Sequence, residues 1–156
     1  MPKKHSAMNS RSVAPLLAAI AAVALTTSST LFARIGETEQ ECAARYGEPI
    51  KKLPNDSLLY QKADLNIFIT FFNGKADAIA YRKIAKDQQL SENEVEILLN
   101  GNSDGVRWQE REGTSVDREW VTENGELLAT YDSGDHLLMV GTKDYLAREE
   151  AKKDAK

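Results

Sequence analysis

The single cysteine and a histidine far along the chain are the residues most able to carry out nucleophilic chemistry. Cys42 is the one cysteine of the chain, and His136 is the one histidine beyond residue 33. A cysteine nucleophile needs a base that removes the thiol proton, and His136 beside Asp135 could be such a base. Nothing in the sequence brings Cys42 and His136 together, so we expect Cys42 to be a small core residue. A hydrolase that uses Cys42 or Asp135 with His136, and an intermolecular disulfide through Cys42, remain alternatives.

Two polar segments could hold a metal ion. The segment Asn100–Gly105 resembles a calcium loop, which needs oxygen ligands at positions one, three and five and glycine at position six. Position one is an asparagine, however, and position twelve is Arg111, where a bidentate glutamate is needed. The second segment, Asp132–His136, has two carboxylates beside an imidazole, but its residue types are also those of hairpin tips. We predict loops at both places, with no metal and no cofactor.

The two tryptophans form the most distinctive pair of the chain. If the hairpin that contains them turns at Thr114, Trp108 and Trp120 lie directly opposite each other on one face of the sheet. They would then be either core residues or an aromatic patch that contacts a partner, and Tyr60 and Tyr81 might extend such a patch. We interpret these four residues as candidate partner contacts, with core packing as the alternative.

Two similar segments predict the elements that position these residues. Thr38–Gly47 and Ser91–Gly101 each begin with a hydroxyl residue, have glutamate three positions later and end at glycine. This is the pattern of a helix with an N-terminal capping box and a glycine after its last turn. Each segment is followed by an Asn-Gly pair between apolar runs, which is typical of a tight β-hairpin.

Alternating apolar residues after each helix predict strands. The expected strands are 58–62, 65–71 and 76–80 in the first half and 106–111, 116–122, 127–131 and 137–141 in the second half. Because Ala76, Ala78 and Ala80 alternate, we expect them on one face, against a helix. The sequence therefore predicts an α+β fold of two tandem helix-plus-antiparallel-meander repeats, about 35–86 and 89–143. The helices would pack on one face of the sheet and leave the other open, and residues 144–156 would form a charged helix or tail.

The first 33 residues have the pattern of a secretory signal peptide. Basic residues precede the apolar run Val13–Leu25, and small and hydroxylated residues follow it. The run has 13 residues, fewer than the roughly 20 that span a bilayer, although an uncleaved anchor remains an alternative. We therefore predict export to a periplasmic or extracellular location.

Composition and charge exclude several classes of protein. The chain has 156 residues, 42% hydrophobic and 28% charged, which excludes collagen, a wholly disordered chain and a multi-pass membrane protein. Beyond residue 33, 17 basic residues face 24 acidic ones, a net charge of −7. Such a charge argues against binding to nucleic acid or to anionic lipid.

The spacing of several residues resembles that of a known family. Gly36, Thr38, Glu41, Gly47 and Pro49, followed by a strand and then Phe71-Phe72-Asn73-Gly74-Lys75, look like the small outer-membrane assembly lipoprotein fold of the SmpA/OmlA (BamE) type. Two tandem copies are similar in architecture to the β-lactamase inhibitory protein. Those lipoproteins carry a lipidated cysteine after the signal, which this chain lacks, and their partner contacts do not map onto matching residues. The resemblance implies protein binding in the cell envelope.

These observations together predict an exported, non-catalytic module that binds another envelope or extracellular protein through an open sheet face. A small-ligand carrier is the first alternative, in which the sheet encloses an apolar molecule. The hydrolase described above is the second.

Overall fold

The described part of the chain is an antiparallel sheet with helices on both of its sides. The structure is a computed structural model that describes residues 34–112 and 117–155, so the predicted signal peptide lies outside the described residues. In those ranges the helices are α1 (Glu39–Tyr46), α2 (Glu92–Asn102) and α3 (Lys143–Asp154). The strands are β1 (Lys51–Lys52), β2 (Leu58–Lys62), β3 (Leu65–Phe72), β4 (Lys75–Lys83), β5 (Trp108–Arg111), β6 (Asp117–Thr122), β7 (Leu127–Asp132) and β8 (Leu137–Thr142).

Capping boxes begin the first two helices, as the sequence predicted. The hydroxyl of Thr38 accepts a hydrogen bond from the Glu41 N–H, and the Glu41 carboxylate accepts one from the Thr38 N–H. Ser91 and Glu94 make the same reciprocal pair at the start of α2. Each pair satisfies backbone N–H groups that have no partner within the helix, and so fixes where the helix begins.

The prediction of two tandem helix-plus-meander repeats is wrong, although the fold is α+β. The described strands form a single antiparallel sheet in the order β1-β2-β3-β4-β8-β7-β6-β5. Strand β4 pairs directly with β8, with Ala80 opposite Met139 and Tyr81 opposite Leu138. Because this long-range pairing merges all eight strands, α1 and α2 share one continuous core and neither half is a separate unit.

Helices α1 and α2 cover one face of this sheet. Side chains alternate along a strand, so every second residue faces these helices. Those residues form the core with the apolar faces of α1 and α2. The largest fully buried side chains include Tyr60, Ile67, Ile69, Ile79, Tyr81, Leu98, Leu138 and Val140.

Helix α3 packs on the opposite face, which the sequence analysis expected to be left open. The ring of Tyr145 lies over Gly141, where an added Cβ would be 3.0 Å from its Cδ1. The Asp77 carboxylate accepts a hydrogen bond from the Thr142 hydroxyl at 2.7 Å and pairs with Arg148. No residue of α3 is buried, which is why its sequence shows too little apolar pattern to predict a docking face.

A β-bulge changes the face on which one alanine lies. The register shifts between Thr70 and Phe71, so that Thr70 pairs with Ala78 whereas Phe71 pairs with Ala76, and Asp77 is the extra residue. Ala76 therefore belongs to the helix-covered core, whereas Ala78 and Ala80 face the other side. The expectation that all three alanines share a face is wrong for this reason.

Among the described helices, none is long and apolar enough to cross a membrane.

Candidate functional site

The sheet face opposite α1 and α2 is partly covered by α3 and carries a row of partly exposed side chains. We call it the open face below. The row crosses five adjacent strands in register, because each residue is the pairing partner of the next. Four of its five members are apolar, and all five are partly exposed to solvent. In order across the sheet they are Leu59, Phe68, Ala80, Met139 and Thr130.

A groove of about 320 Å³ lies in the middle of the open face. Ala78 and Ala80 form its floor, since their small side chains leave space between Phe68 and Met139. Tyr145 of α3 lines one end of the groove. The groove thus has an apolar floor and mixed walls, since Asn55, Ser57 and Thr70 also line it. Its shape follows from small residues placed between large ones.

Arg82 is the charged residue of this groove. Its guanidinium carbon lies 5.7 Å from the centre of the Phe68 ring, a cation–π distance. Its Nε is buried, and no acceptor in the described part of the chain lies within hydrogen-bond distance of it. The residue as a whole is partly exposed, so its guanidinium favours a ligand that brings a carbonyl or carboxylate oxygen.

The aromatic residues predicted as partner contacts lie on the helix-covered face instead. Tyr60 and Tyr81 are fully buried, and Trp120 is 5% exposed. The Tyr81 hydroxyl accepts a hydrogen bond from Nδ2 of Asn102 at 3.0 Å. Tyr60 and Tyr81 therefore present no surface to a partner, and they are core residues.

The hairpin that carries the tryptophans pairs differently from the expectation. Trp108 pairs with Thr122 and Trp120 pairs with Glu110, so the indoles are diagonal neighbours rather than opposite each other. They do share one face, since paired residues point the same way. Trp108 is partly buried, and its Nε1 donates a hydrogen bond to the Leu99 carbonyl at 2.8 Å.

Cys42 is a buried core residue whose thiol has a raised pKa. It is fully buried on the core-facing side of α1, and burial together with the nearby Glu37 carboxylate raises the pKa of its thiol to about 12. The nucleophilic form of cysteine is the thiolate, which this site disfavours at neutral pH. In the described ranges no hydrogen bond joins Cys42 to His136.

The two polar segments have structural roles. Oδ1 of Asp132 accepts hydrogen bonds from the N–H groups of Gly134 and Asp135, which closes the β7–β8 turn. Asn100 is still part of α2, so the calcium-loop pattern does not form a loop at its first position. In residues 34–112 and 117–155, no group of three or more His, Cys, Asp or Glu could hold a metal ion.

Sequence reasoning missed Phe68, Met139 and Arg82. Phe68 gave a signal, because it is a large aromatic between Asn66 and Thr70 on one face of β3. The apolar run Leu137–Val140 gave another signal. A strand with apolar residues on both faces of the sheet is expected to be covered by other protein groups on both faces. Neither signal shows that Phe68 and Met139 lie close together, because their proximity depends on the pairing of β4 with β8.

Comparisons with known proteins leave the chain without a family. No family model matches it, and no curated protein matches it. A DUF4309 family protein of Bacillus subtilis has 16% identity and a TM-score of 0.43, covering 69% of this chain and 79% of that one. A cysteine-rich secretory protein of Staphylococcus aureus has 9% identity and a TM-score of 0.42, covering 72% of this chain and 46% of that one. At these values the two similarities support no conclusion about fold or function, and the resemblance to the assembly lipoproteins stays a prediction.

Proposed function

We propose that the chain is an exported, non-catalytic protein whose open face binds another envelope or extracellular protein. The observation that carries this proposal is the in-register row of partly exposed side chains, four of them apolar, across five adjacent strands. Neighbouring strands lie about 4.8 Å apart, so the row is about 19 Å wide. A surface of that width suits the centre of a protein interface, where apolar side chains are desolvated together.

The groove indicates what such a partner would bring. Its apolar floor at Ala78 and Ala80 would receive an apolar side chain, and the guanidinium of Arg82 would receive an oxygen. A protein segment offers both, because each apolar side chain is attached to a backbone carbonyl. Export itself rests on the pattern of residues 1–33, and the net charge of −7 beyond them supports a protein partner over nucleic acid.

A small-ligand carrier is the second candidate. The groove of about 320 Å³ is at the lower end of the range for small-molecule sites, about 300–1000 Å³. Its apolar floor favours a molecule with an apolar part and one oxygen near Arg82. This candidate predicts that the groove binds a ligand when no protein partner is present.

Matched glutamate substitutions test the proposal. The full chain is used to capture proteins from extracts of its own cell envelope and medium, and the affinity of the captured protein is then measured by calorimetry. Met139→Glu places a charge in the row, whereas Ile97→Glu changes a 44% exposed isoleucine of α2 on the other side of the sheet. We expect Met139→Glu to weaken binding by about tenfold or more and Ile97→Glu to leave it unchanged.

Two results would contradict the proposal. One is a partner whose affinity is the same for Met139→Glu and for the unsubstituted chain. The other is the absence of any protein partner together with saturable binding of an apolar fluorescent dye that Met139→Glu removes, which would establish the carrier.

A further inference from the structure

A second concave site lies on the helix-covered side of the sheet, far from the groove. It is a cleft of about 550 Å³ between α2 and the β5–β6 strands. We call it the Trp cleft, and its lining includes Asn93, Glu96, Asn100, Trp108, Arg118 and Trp120. Its volume is well within the range of small-molecule sites.

The floor of the Trp cleft is an aromatic ring covered by a fixed cation. The guanidinium carbon of Arg118 lies 4.8 Å from the centre of the Trp120 ring. Two carboxylates hold this guanidinium, with Glu110 at 2.7 Å from its Nε and Glu92 at 2.7 Å from its Nη1. The cation site over Trp120 is therefore already filled, and both carboxylates are already bound to the Arg118 guanidinium.

One wall of the cleft has polar groups that the protein does not use. Glu92, Glu96 and Asn100 follow one another at four-residue intervals, so they line one side of α2. In the part of the chain that the structure describes, the side chains of Asn93, Glu96 and Asn100 make no hydrogen bond within the protein. Together they offer amide donors and both amide and carboxylate acceptors.

The opposite wall is the half-exposed indole of Trp108. The hydrogen bond from its Nε1 to the Leu99 carbonyl fixes the orientation of the ring. An indole held in this way loses little conformational freedom when a flat ligand stacks on it.

We propose that the Trp cleft binds a neutral oligosaccharide. A sugar ring has an apolar C–H face that packs on an indole and a rim of hydroxyls that both donate and accept hydrogen bonds, which match Trp108 and the unused groups of α2. An anion is disfavoured by the carboxylate of Glu96, since the cation Arg107 in the lining is paired with Glu123 at 3.3 Å. A cation finds the ring of Trp120 already covered by Arg118. This site is independent of the proposed function, which concerns the open face.

Tryptophan fluorescence and calorimetry test the site with defined probes. Both tryptophans of the chain line the cleft, so a bound sugar changes the intrinsic emission. The full chain is titrated with cellotriose, chitotriose and maltotriose, each to about 10 mM, which detects binding at the millimolar level. We expect a saturable change in emission, and heat of binding, with at least one of the three.

Substitutions separate a sugar site from a structural tryptophan. Trp108→Ala should weaken binding about fivefold or more, whereas Trp108→Phe should retain most of it. Because Trp108→Ala removes core contacts, Asn100→Ala and Glu96→Gln are measured as well; both residues are exposed, and each variant should weaken binding while unfolding like the original chain. Met139→Glu, on the open face, should bind sugar normally.

The proposal is overturned if none of the three trisaccharides changes the emission or releases heat. It is also overturned if Trp108→Ala, Asn100→Ala and Glu96→Gln all bind the sugar with the affinity of the unsubstituted chain. Failure of the open-face proposal would leave these results unaffected, because Met139→Glu distinguishes the two sites.

Discussion

Three titratable side chains are fully buried in the core as neutral groups: Cys42, Tyr60 and Tyr81. Burial raises the pKa of each group above its ordinary value, so each stays protonated well above neutral pH. For Cys42 the raised pKa favours a core thiol over a nucleophile. A thiol with a pKa of about 12 is almost entirely protonated at pH 7.

We expect Cys42 to be unreactive toward Ellman's reagent in the folded chain at pH 7 and to react fully after denaturation in guanidinium. The control is Met139→Cys, whose added thiol is partly exposed and should react without denaturant. Rapid reaction of Cys42 in the folded, unsubstituted chain would restore the catalytic alternative.

The two buried tyrosines differ in whether their hydroxyl has a partner. The Tyr81 hydroxyl accepts a hydrogen bond from Asn102, whereas the buried Tyr60 hydroxyl has no partner in the described residues. Tyr81→Phe should therefore lower the free energy of unfolding by about 1 kcal/mol, because Asn102 loses an acceptor. Tyr60→Phe should leave it unchanged or raise it, as measured by urea denaturation. Equal destabilisation of the two variants would contradict this assignment.

At the scale of elements, the features that depend on residues close together in the sequence were predicted, whereas those that depend on long-range contacts were not. The capping boxes at Thr38 and Ser91 are complete in the sequence, because each involves residues only three positions apart. The Asn73-Gly74 turn is also local, and both residues have the positive φ that such a turn requires. Asp77 was not predictable in the same way, since a bulge depends on which partner strand it faces.

The β5–β6 register shows the limit of turn-based prediction. A turn at Thr114 would set Trp108 opposite Trp120, but the observed pairing sets Trp108 opposite Thr122. A shift of one position in the centre of the turn moves the register by two residues. Both indoles stay on one face after such a shift, so the shared face was predictable and the direct pairing was not.

Asp77 is the main polar anchor of α3, because it receives the Thr142 hydroxyl and the Arg148 guanidinium together. Its side chain is 11% exposed, so water competes little for these contacts. Asp77→Asn removes the charge that holds Arg148, and it should lower the free energy of opening α3 by about 1 kcal/mol. Hydrogen exchange of the α3 amides measures this as faster exchange.

The matched control is Glu149→Gln, which removes the exposed pair with Lys152 inside the same helix. This variant should change α3 exchange very little, because exposed ion pairs contribute little to stability. If Asp77→Asn and Glu149→Gln had the same effect, α3 would not be anchored through Asp77.

At the scale of the whole molecule, the pairing of β4 with β8 decides the architecture. It joins residues about 60 positions apart in the chain, such as Ile79 and Val140. Nothing in local periodicity specifies which strand edges meet, so the sequence predicted the α+β class and most strand positions but not the single sheet. The open-face row depends on the same pairing, which is why its residues were not predicted together.

The buried neutral groups make the whole molecule sensitive to alkali. The native state holds the protons of Cys42 and Tyr60 more tightly than the unfolded state does, since both pKa values are raised to about 12. Stability should therefore be constant up to about pH 9 and fall as the pH rises from about 9 toward 12, by up to about 1.4 kcal/mol per pH unit for each group.

Urea midpoints measured from pH 7 to pH 11 test this prediction. Tyr60→Phe should give a shallower decline than the unsubstituted chain, because one titrating group is removed. A midpoint that rises or stays flat above pH 9 would mean that these groups are not buried as protonated forms.

The measurement that tests the central claim most directly is site-specific photo-cross-linking in the cell envelope and medium. Because Cys42 is buried, a photoreactive thiol label attaches selectively to Met139→Cys on the open face or to Ile97→Cys on α2. Our account predicts that the label at position 139 cross-links one protein and that the label at position 97 does not. Cross-linking of that protein from position 97 alone, or equally from both positions, would contradict a binding site on the open face.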